Sequence, residues 1–522
     1  MNKMRKTKNP VQLIIACMLV LAVMLAGCGS SGKTAESQDS TGAGSVQESS
    51  QPAADEENKL DEVELIWYMG GAPQPDQELV FTELNKDIKA KINATVKFNI
   101  IDFGGYNDKM QVLLSAGEPM DLCFTAGWVN NYTQNVAKGA FLPLDELLTT
   151  YAPKLKASVP ASMWEATKVN GKIYGLINQQ ISAMTKGVWF RTDLADKYQF
   201  DINSVNKLED IDPFLKAVKE GEQGIVPLNC TGDGGDTTLN FFPAIKFYDD
   251  IISRDVPGQV DVDDSSLKVV NQYAAPEFME FCKLMRDWYQ KGYFKKDIAS
   301  YKDTTADMKA KKFAAGTVGN YKPGVDAEEN SRWGFERVSI PLGKSVLQTG
   351  SIIATMHAIP KASKNPERAM MLMELLNDPA EKAIYNKLVY GIESTHYIKT
   401  GDNTIELVPD SKYNPGISWE AASTFNAYIL PGQPLTVWDD TKKINAEAKP
   451  SPLLGFSFDS KDVITEIAAC QSVIKELLPS IDTGTVDPEV YIPKLLEKLD
   501  KAGVSKVISE MQKQVDAWKA LK

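Results

Sequence analysis

The sequence predicts an α/β fold with a largely parallel sheet, followed by a mainly helical C-terminal part. Two observations carry this. From Glu62 to Thr125, two-residue alternation and 3.6-residue periodicity succeed one another as strand, helix, strand, helix, strand, the rhythm of βαβ units. Beyond residue 449, Val463, Ile464, Ile467, Val473, Ile474, Leu477 and Leu478 follow helical spacing. At 522 residues the chain exceeds one ordinary core, so two or more domains are expected.

Residues 1–27 read as a signal peptide. Lys3, Arg5, Lys6 and Lys8 give a positive start, Val11 to Ala26 an apolar run, and Leu25-Ala26-Gly27-Cys28 small residues before a cut. The run falls short of the ~20 apolar residues that a membrane span prefers. Its ending resembles the bacterial lipobox, which implies lipidation of Cys28 and anchoring to the outer face of the cell membrane. Cleavage there removes four bases and no acid, taking the formal charge from −12 to −16. Such an acidic chain is unsuited to nucleic acid and to holding anionic lipid through its own surface, so the lipid on Cys28 is what retains it. Residues 28–60 are Gly, Ser, Ala, Gln and acid with almost nothing to bury, a flexible tether reaching on the order of 30 Å.

Order begins with "EVELIWYMGG", where Val63, Leu65 and Trp67 alternate and Gly70-Gly71 end the strand. Leu79, Val80, Leu84, Ile88 and Ile92 recur at helical spacing, and Val96, Phe98 and Ile100 alternate again. "YNDKMQVLLSAG" predicts a helix closed by Gly117. Leu122 to Thr125 is the third strand, and Asn170-Gly171 a turn before another. "FAAGTVGNY" ends the middle section as a small, apolar strand, "WGFERVSIPLGK" to "SIIATMHAIP" reads as strands, and Asn365-Pro366 and Asp487-Pro488 open helices. After Cys28 only Cys123, Cys230, Cys282 and Cys470 remain, widely spaced in apolar surroundings, and buried free thiols are expected rather than a disulfide framework or a zinc site.

Several stretches together resemble family-1 extracellular solute-binding proteins, the receptor subunits of ABC importers. They are Gly117-Glu118-Pro119-Met120-Asp121-Leu122, Gly139-Ala140-Phe141-Leu142-Pro143-Leu144-Asp145, Gly171-Lys172-Ile173-Tyr174-Gly175-Leu176 and "SKNPERAMMLMELLNDP". "LVYGIESTHY" and "SPLLGFSFDSKDVITEIAAC" resemble the Gram-positive branch that carries a C-terminal domain of unknown function. The resemblance implies a two-lobed, type II periplasmic-binding-protein-like fold over residues 61–448, with lobe one at about 61–180 plus 335–365 and lobe two at about 183–320 plus later helices. A helical extension then covers 449–522. It implies a monomer that encloses a sugar or oligosaccharide between its lobes and delivers it to membrane permease subunits. The lobes would move about crossings near 177–183, 318–322 and 335–360. Some long relatives hold calcium in an EF-hand-like loop, but the nearest candidate, "DVDDSSLKVVNQ", lacks Gly at its sixth position and Glu at its twelfth, so no metal or other cofactor is expected.

In open α/β sheets, ligands sit beyond the carboxyl ends of strands. Trp128, Asn130, Asn131 and Tyr132 occupy that place after Leu122–Thr125, and Trp67 and Tyr68 after the first strand. Aromatic rings cover the C–H faces of a sugar and amides read its hydroxyls. Each group has a plainer reading as packing or helix capping. Trp189 and Arg191 begin the second lobe, where Arg191 would hold a solute or a structural carboxylate. Asn320, Trp333, Trp419 and Trp438 stand in loop-like contexts suited to the opposite wall. Trp288, Trp518, His357 and His396 read as structural.

An enzyme is not expected. Residues 61–522 contain no GxSxG, HExxH, Walker A or dinucleotide-binding motif, and the chain has only two histidines. A glycosidase needs only two carboxylates and stays open as the enzyme alternative. The other alternative is a receptor of the same fold for peptides or other small solutes.

Overall fold

The computed structural model describes residues 60–232 and 237–521; the signal peptide, the tether and Cys28 lie outside the described residues. Two five-stranded sheets organise the chain. In the first, Val63–Gly70 runs parallel to Ala94–Ile101 on one side and Leu122–Thr125 on the other. Met356–Ala358 then pairs antiparallel with Leu122–Thr125 and with Leu176–Ile177. The helix Gln77–Ile92 buries Val80, Leu84, Ile88 and Ile92 along one face, as their spacing requires. Helix Phe103–Ala116 starts where the Asp102 carboxylate accepts from Gly104 N–H, and stops at Gly117 with φ 66°. Leu79, expected inward, is exposed.

The second sheet is mixed. Ala183–Arg191 lies antiparallel to both Arg337–Leu347 and Phe313–Val318, and Val226–Asn229 continues parallel to the latter. Gly187 fits there because a Cβ would come 2.4 Å from the Ile340 carbonyl oxygen across the pairing. Phe190, Phe214, Phe281, Met285 and Trp288 centre its core.

Two boundaries differ from the sequence expectation. Residues 335–365 do not all belong to the first lobe, because Arg337–Leu347 pairs with Ala183–Arg191 and only Met356–Ala358 returns to the first sheet. Residues 318–322 are not a crossing, because the chain passes from Phe313–Val318 through helix Val325–Trp333 back into the second sheet. The chain crosses at 178–182, at 348–355, and through helix Val437–Glu447, which leads to the edge strand Lys449–Pro450. Asn445 ties the last of these passages to the first. Its Oδ1 accepts from Ser182 N–H (2.8 Å) and Ala183 N–H (3.0 Å), and its Nδ2 donates to Gln180 O (2.7 Å).

The C-terminal helices Ile464–Asp482, Pro488–Lys501 and Val504–Lys519 do not form a separate body. Cys470, Ile474, Leu478, Ile492, Leu495 and Leu499 share the core of the second lobe with Phe278, Phe281 and Met285. Asp487 caps the second of these helices through Glu489 N–H, as the Asp-Pro pair predicts. Cys123, Cys230, Cys282 and Cys470 are buried and form no disulfide.

Candidate functional site

Three aromatic rings meet at the carboxyl ends of the first sheet. Phe103 follows strand Ala94–Ile101, and Trp128 follows Leu122–Thr125. Trp419 arrives from a distant loop and stacks on Phe103 at 5.8 Å and 26°. Trp128, 58% exposed, lies 5.5 Å from Phe103 and 6.3 Å from Trp419. Its Nε1–H donates to Ala354 O (2.8 Å) in the second crossing. Gln180, in the first crossing, donates through Nε2 to Thr355 Oγ1 (2.6 Å) and Trp419 O (3.2 Å). Gly70 makes room, since a Cβ there would meet the Phe103 ring at 2.2 Å. The patch is therefore rigidly attached to two of the passages between lobes.

Beneath it lies a buried polar cluster. Glu420 Oε1 accepts from Gly70 N–H (2.7 Å), and burial pushes its carboxyl up to about 8, so the neutral acid prevails at pH 7. Asn178 Nδ2 donates to Glu420 O (2.6 Å), which leaves Asn178 Oδ1 to accept from His357 Nδ1–H (2.9 Å). Burial pushes His357 down to about 3, and the ring is neutral.

The second sheet contributes a pocket of about 160 Å³ at the end where the first two crossing segments meet it, lined among others by Met184, Lys186, Asn240, Arg254, Gln259 and Gln348. Two of its rings, Phe242 and Tyr248, stack at 6.1 Å and 23°. Burial pushes Asp250 up to about 7, helped by the neighbouring Asp249 charge, and pushes Lys186 down to about 8. Asp250 accepts from Gln259 Nε2, and Lys186 Nζ donates to Gly319 O (2.6 Å). Two larger concavities, about 510 and 630 Å³, are lined by no aromatic ring except Tyr321. Aromatic faces beside amides, a lysine, an arginine and weakly acidic carboxyls can hold a polyhydroxylated molecule with apolar faces. Among the described residues no cluster of His, Cys, Asp and Glu could hold a metal ion.

Of the residues singled out from sequence, Trp128 and Trp419 converge in the patch. Several others do other work. Trp67 is fully buried in the first core, 5.0 Å from His357, because it alternates on the same inward face as Leu65. Tyr68 is half-buried on the opposite face, and burial followed by the Glu118 charge raises its hydroxyl pKa. Asn130, at φ 43°, is buried and spends its amide on Phe124 O (2.8 Å) and Asn135 Nδ2 (2.8 Å). Asn131 caps helix Tyr132–Ala137 by accepting from Gln134 N–H (3.0 Å). Tyr132 is buried, its hydroxyl donating to Thr167 O.

In the second lobe, Trp189 is buried beside Phe335 with Arg337 over its ring at 5.4 Å. Arg191 holds a structural carboxylate, Asp193, through two bonds of 3.0 and 2.6 Å. Asn320 Oδ1 accepts from Thr185 N–H (3.0 Å) near the first crossing. Trp333 donates to Glu329 on the surface helix Val325–Trp333, and Trp438 donates to Ala427 O (2.7 Å) while packing on the first core. Sequence reasoning missed Phe103, Gln180, Lys186, Asp250 and Arg254. The strand-end rule that selected Trp128 applies equally to Phe103, one residue past Asp102; nothing local marks the other four.

Comparison with known proteins places these features in context. Residues 70–383 match the family model "Bacterial extracellular solute-binding protein", and residues 452–520 match a domain of unknown function (DUF3502). A protein of Streptococcus pneumoniae serotype 4, described as a carbohydrate ABC transporter substrate-binding protein, is 32% identical over 510 residues, covering 96% of this chain and 97% of its own. The crystal structure of the N-glycan transport solute-binding protein NgtS from S. pneumoniae superposes with a TM-score of 0.76 at 29% identity, covering 88% of this chain and 99% of that one. Its complex with Man1GlcNAc gives a TM-score of 0.66 at 28% identity, covering 87% and 99%.

Proposed function

The chain belongs to the bacterial extracellular solute-binding protein family, and from that premise we propose that it is the receptor of an ABC importer for oligosaccharides of the N-glycan type. The observation that carries this reading is the Phe103–Trp128–Trp419 patch at the strand carboxyl ends, with one ring largely open to solvent. Stacking on its faces, with hydroxyls read by Gln180 and the polar pocket of the second lobe, accounts for recognition of a sugar chain. The two NgtS glycan complexes, with Man1GlcNAc and Man5GlcNAc, support the choice of ligand.

In this reading, ligand seated on the first lobe recruits the second, and differential affinity for the closed state drives closure. A lipid on Cys28 holds the receptor at the membrane beside its permease, and the receptor releases its ligand unaltered. Isothermal titration of the mature chain with Man1GlcNAc, Man5GlcNAc and a peptide panel tests the reading. Glycan binding without release of new reducing ends is expected. Binding of peptides alone, or hydrolysis of the glycan, would overturn it. A Cys28→Ala chain recovered from the medium instead of the membrane is the expected result for the anchor.

A further inference from the structure

The three C-terminal helices could simply brace the second lobe, but the first and third also hold one loop, 251–258, that reaches the second-lobe pocket. We propose that the C-terminal extension is part of the binding machinery: it fixes segment 251–258 so that Arg254 stands in the wall of the cleft and selects the glycan. This rests on the reading of the second-lobe pocket as one wall of an oligosaccharide site.

Arg254 lines that pocket, and its Nη1 donates to Asn240 Oδ1 (3.3 Å). The backbone on either side is held from the extension. Val256 is fully buried in a cluster with Val463, Ile467, Val507 and Met511. Gly258, at φ +127°, passes so close to Met511 that a Cβ would come 2.1 Å from its sulfur. Asp255 accepts from Gln471 Nε2 (3.3 Å). From the lobe itself, Gln272 and Tyr273 donate to Arg254 O (3.3 and 2.5 Å).

A carboxyl completes the arrangement. Asp482, the last residue of helix Ile464–Asp482, is 1% exposed, and its Oδ1 has no hydrogen-bond partner. Burial pushes this acid up to about 8, opposed by the Thr238 hydroxyl and, less strongly, by the Arg254 charge, which also acts on Asp250 in the pocket. The guanidinium charge is thus felt by an acid of the lobe and by an acid of the extension.

The test is a double-mutant cycle on the mature chain, with Man5GlcNAc affinity read by calorimetry and thermal midpoints read in parallel. Arg254→Met is expected to weaken binding about tenfold. Asp482→Asn, which keeps shape and cannot ionise, is expected to weaken it several-fold above about pH 8, where the acid is charged, and to add nothing in the Arg254→Met background. Gln471→Ala serves the same purpose should Asp482→Asn not fold, and Lys498→Ala on the outer face of the extension should change nothing. If Asp482→Asn and Gln471→Ala leave affinity within twofold while Arg254→Met lowers it, the extension only braces and the inference fails with the glycan reading intact. If Arg254→Met is silent while Trp128→Ala weakens binding, the pocket is not a wall of the site and the inference falls with it. If the unaltered chain does not bind Man5GlcNAc, the oligosaccharide reading fails first; if it binds and no variant weakens it, the inference fails and the glycan reading stands.

Discussion

Trp128 and Trp419 lie with ring centroids 6.3 Å apart, and both lean on Phe103. Only Trp128 is largely open, and its indole N–H is already held by Ala354 O. Its free face is therefore fixed in orientation before any ligand arrives, which lowers the entropy lost on binding.

Removing either ring should be felt mainly in affinity. Trp128→Ala and Trp419→Ala are each expected to weaken glycan binding by about 1–2 kcal/mol, roughly tenfold. Trp128→Ala should leave the thermal midpoint nearly unchanged because the ring is exposed. Calorimetry beside thermal denaturation separates the two effects.

Asn131 should behave in the opposite way. Its side chain accepts from Gln134 N–H and donates to Gly127 O, which leaves little for a ligand. Asn131→Ala is expected to cost about 1 kcal/mol of stability through the lost cap. Glycan affinity, measured where the variant is folded, should stay within twofold.

Asn445 joins helix Val437–Glu447 to the first crossing through three hydrogen bonds. Asn445→Ala leaves Ser182 and Ala183 N–H without that acceptor and should destabilise the chain by about 1–3 kcal/mol. It should also loosen the relation between lobes, seen in small-angle scattering as a smaller compaction on adding ligand.

The Glu420 acid gives stability a pH dependence of definite sign. Its carboxyl is pushed from the ordinary 4.5 up to about 8 in the folded chain, so the folded state binds more protons than the unfolded state between those values. The associated stability is full below about pH 4.5 and is lost as pH rises through about 8. Glu420→Gln, which retains an oxygen for Gly70 N–H, should flatten the decline in denaturation midpoint between pH 5 and 9. An unchanged decline would assign it to other groups.

The sequence by itself determined the local elements. Alternation in Val63–Gly70 and 3.6-residue spacing in Gln77–Ile92 are set by which face each residue turns inward, and both can be read along a short stretch. That same alternation already put Trp67 with Leu65 on the buried face, which excludes it from a cleft. The candidate site was legible only in part. Asn130 and Asn131 carry a ligand-binding composition, yet their short amides are consumed by their own loop, because a turn at positive φ leaves nearby carbonyls and N–H groups to satisfy.

What only the tertiary structure decided is which distant residues meet. Phe103, Trp128 and Trp419 come from three separate segments, and no local signal distinguishes Trp419 from Trp333 or Trp438, which turned out to serve surface and core. The assignment of Arg337–Leu347 to the second sheet likewise depended on its pairing partner, Ala183–Arg191, since an apolar strand fits either sheet until its register is chosen. Periodicity fixes the inward face of each element; long-range pairing and packing fix its neighbours, and a binding site is made of neighbours.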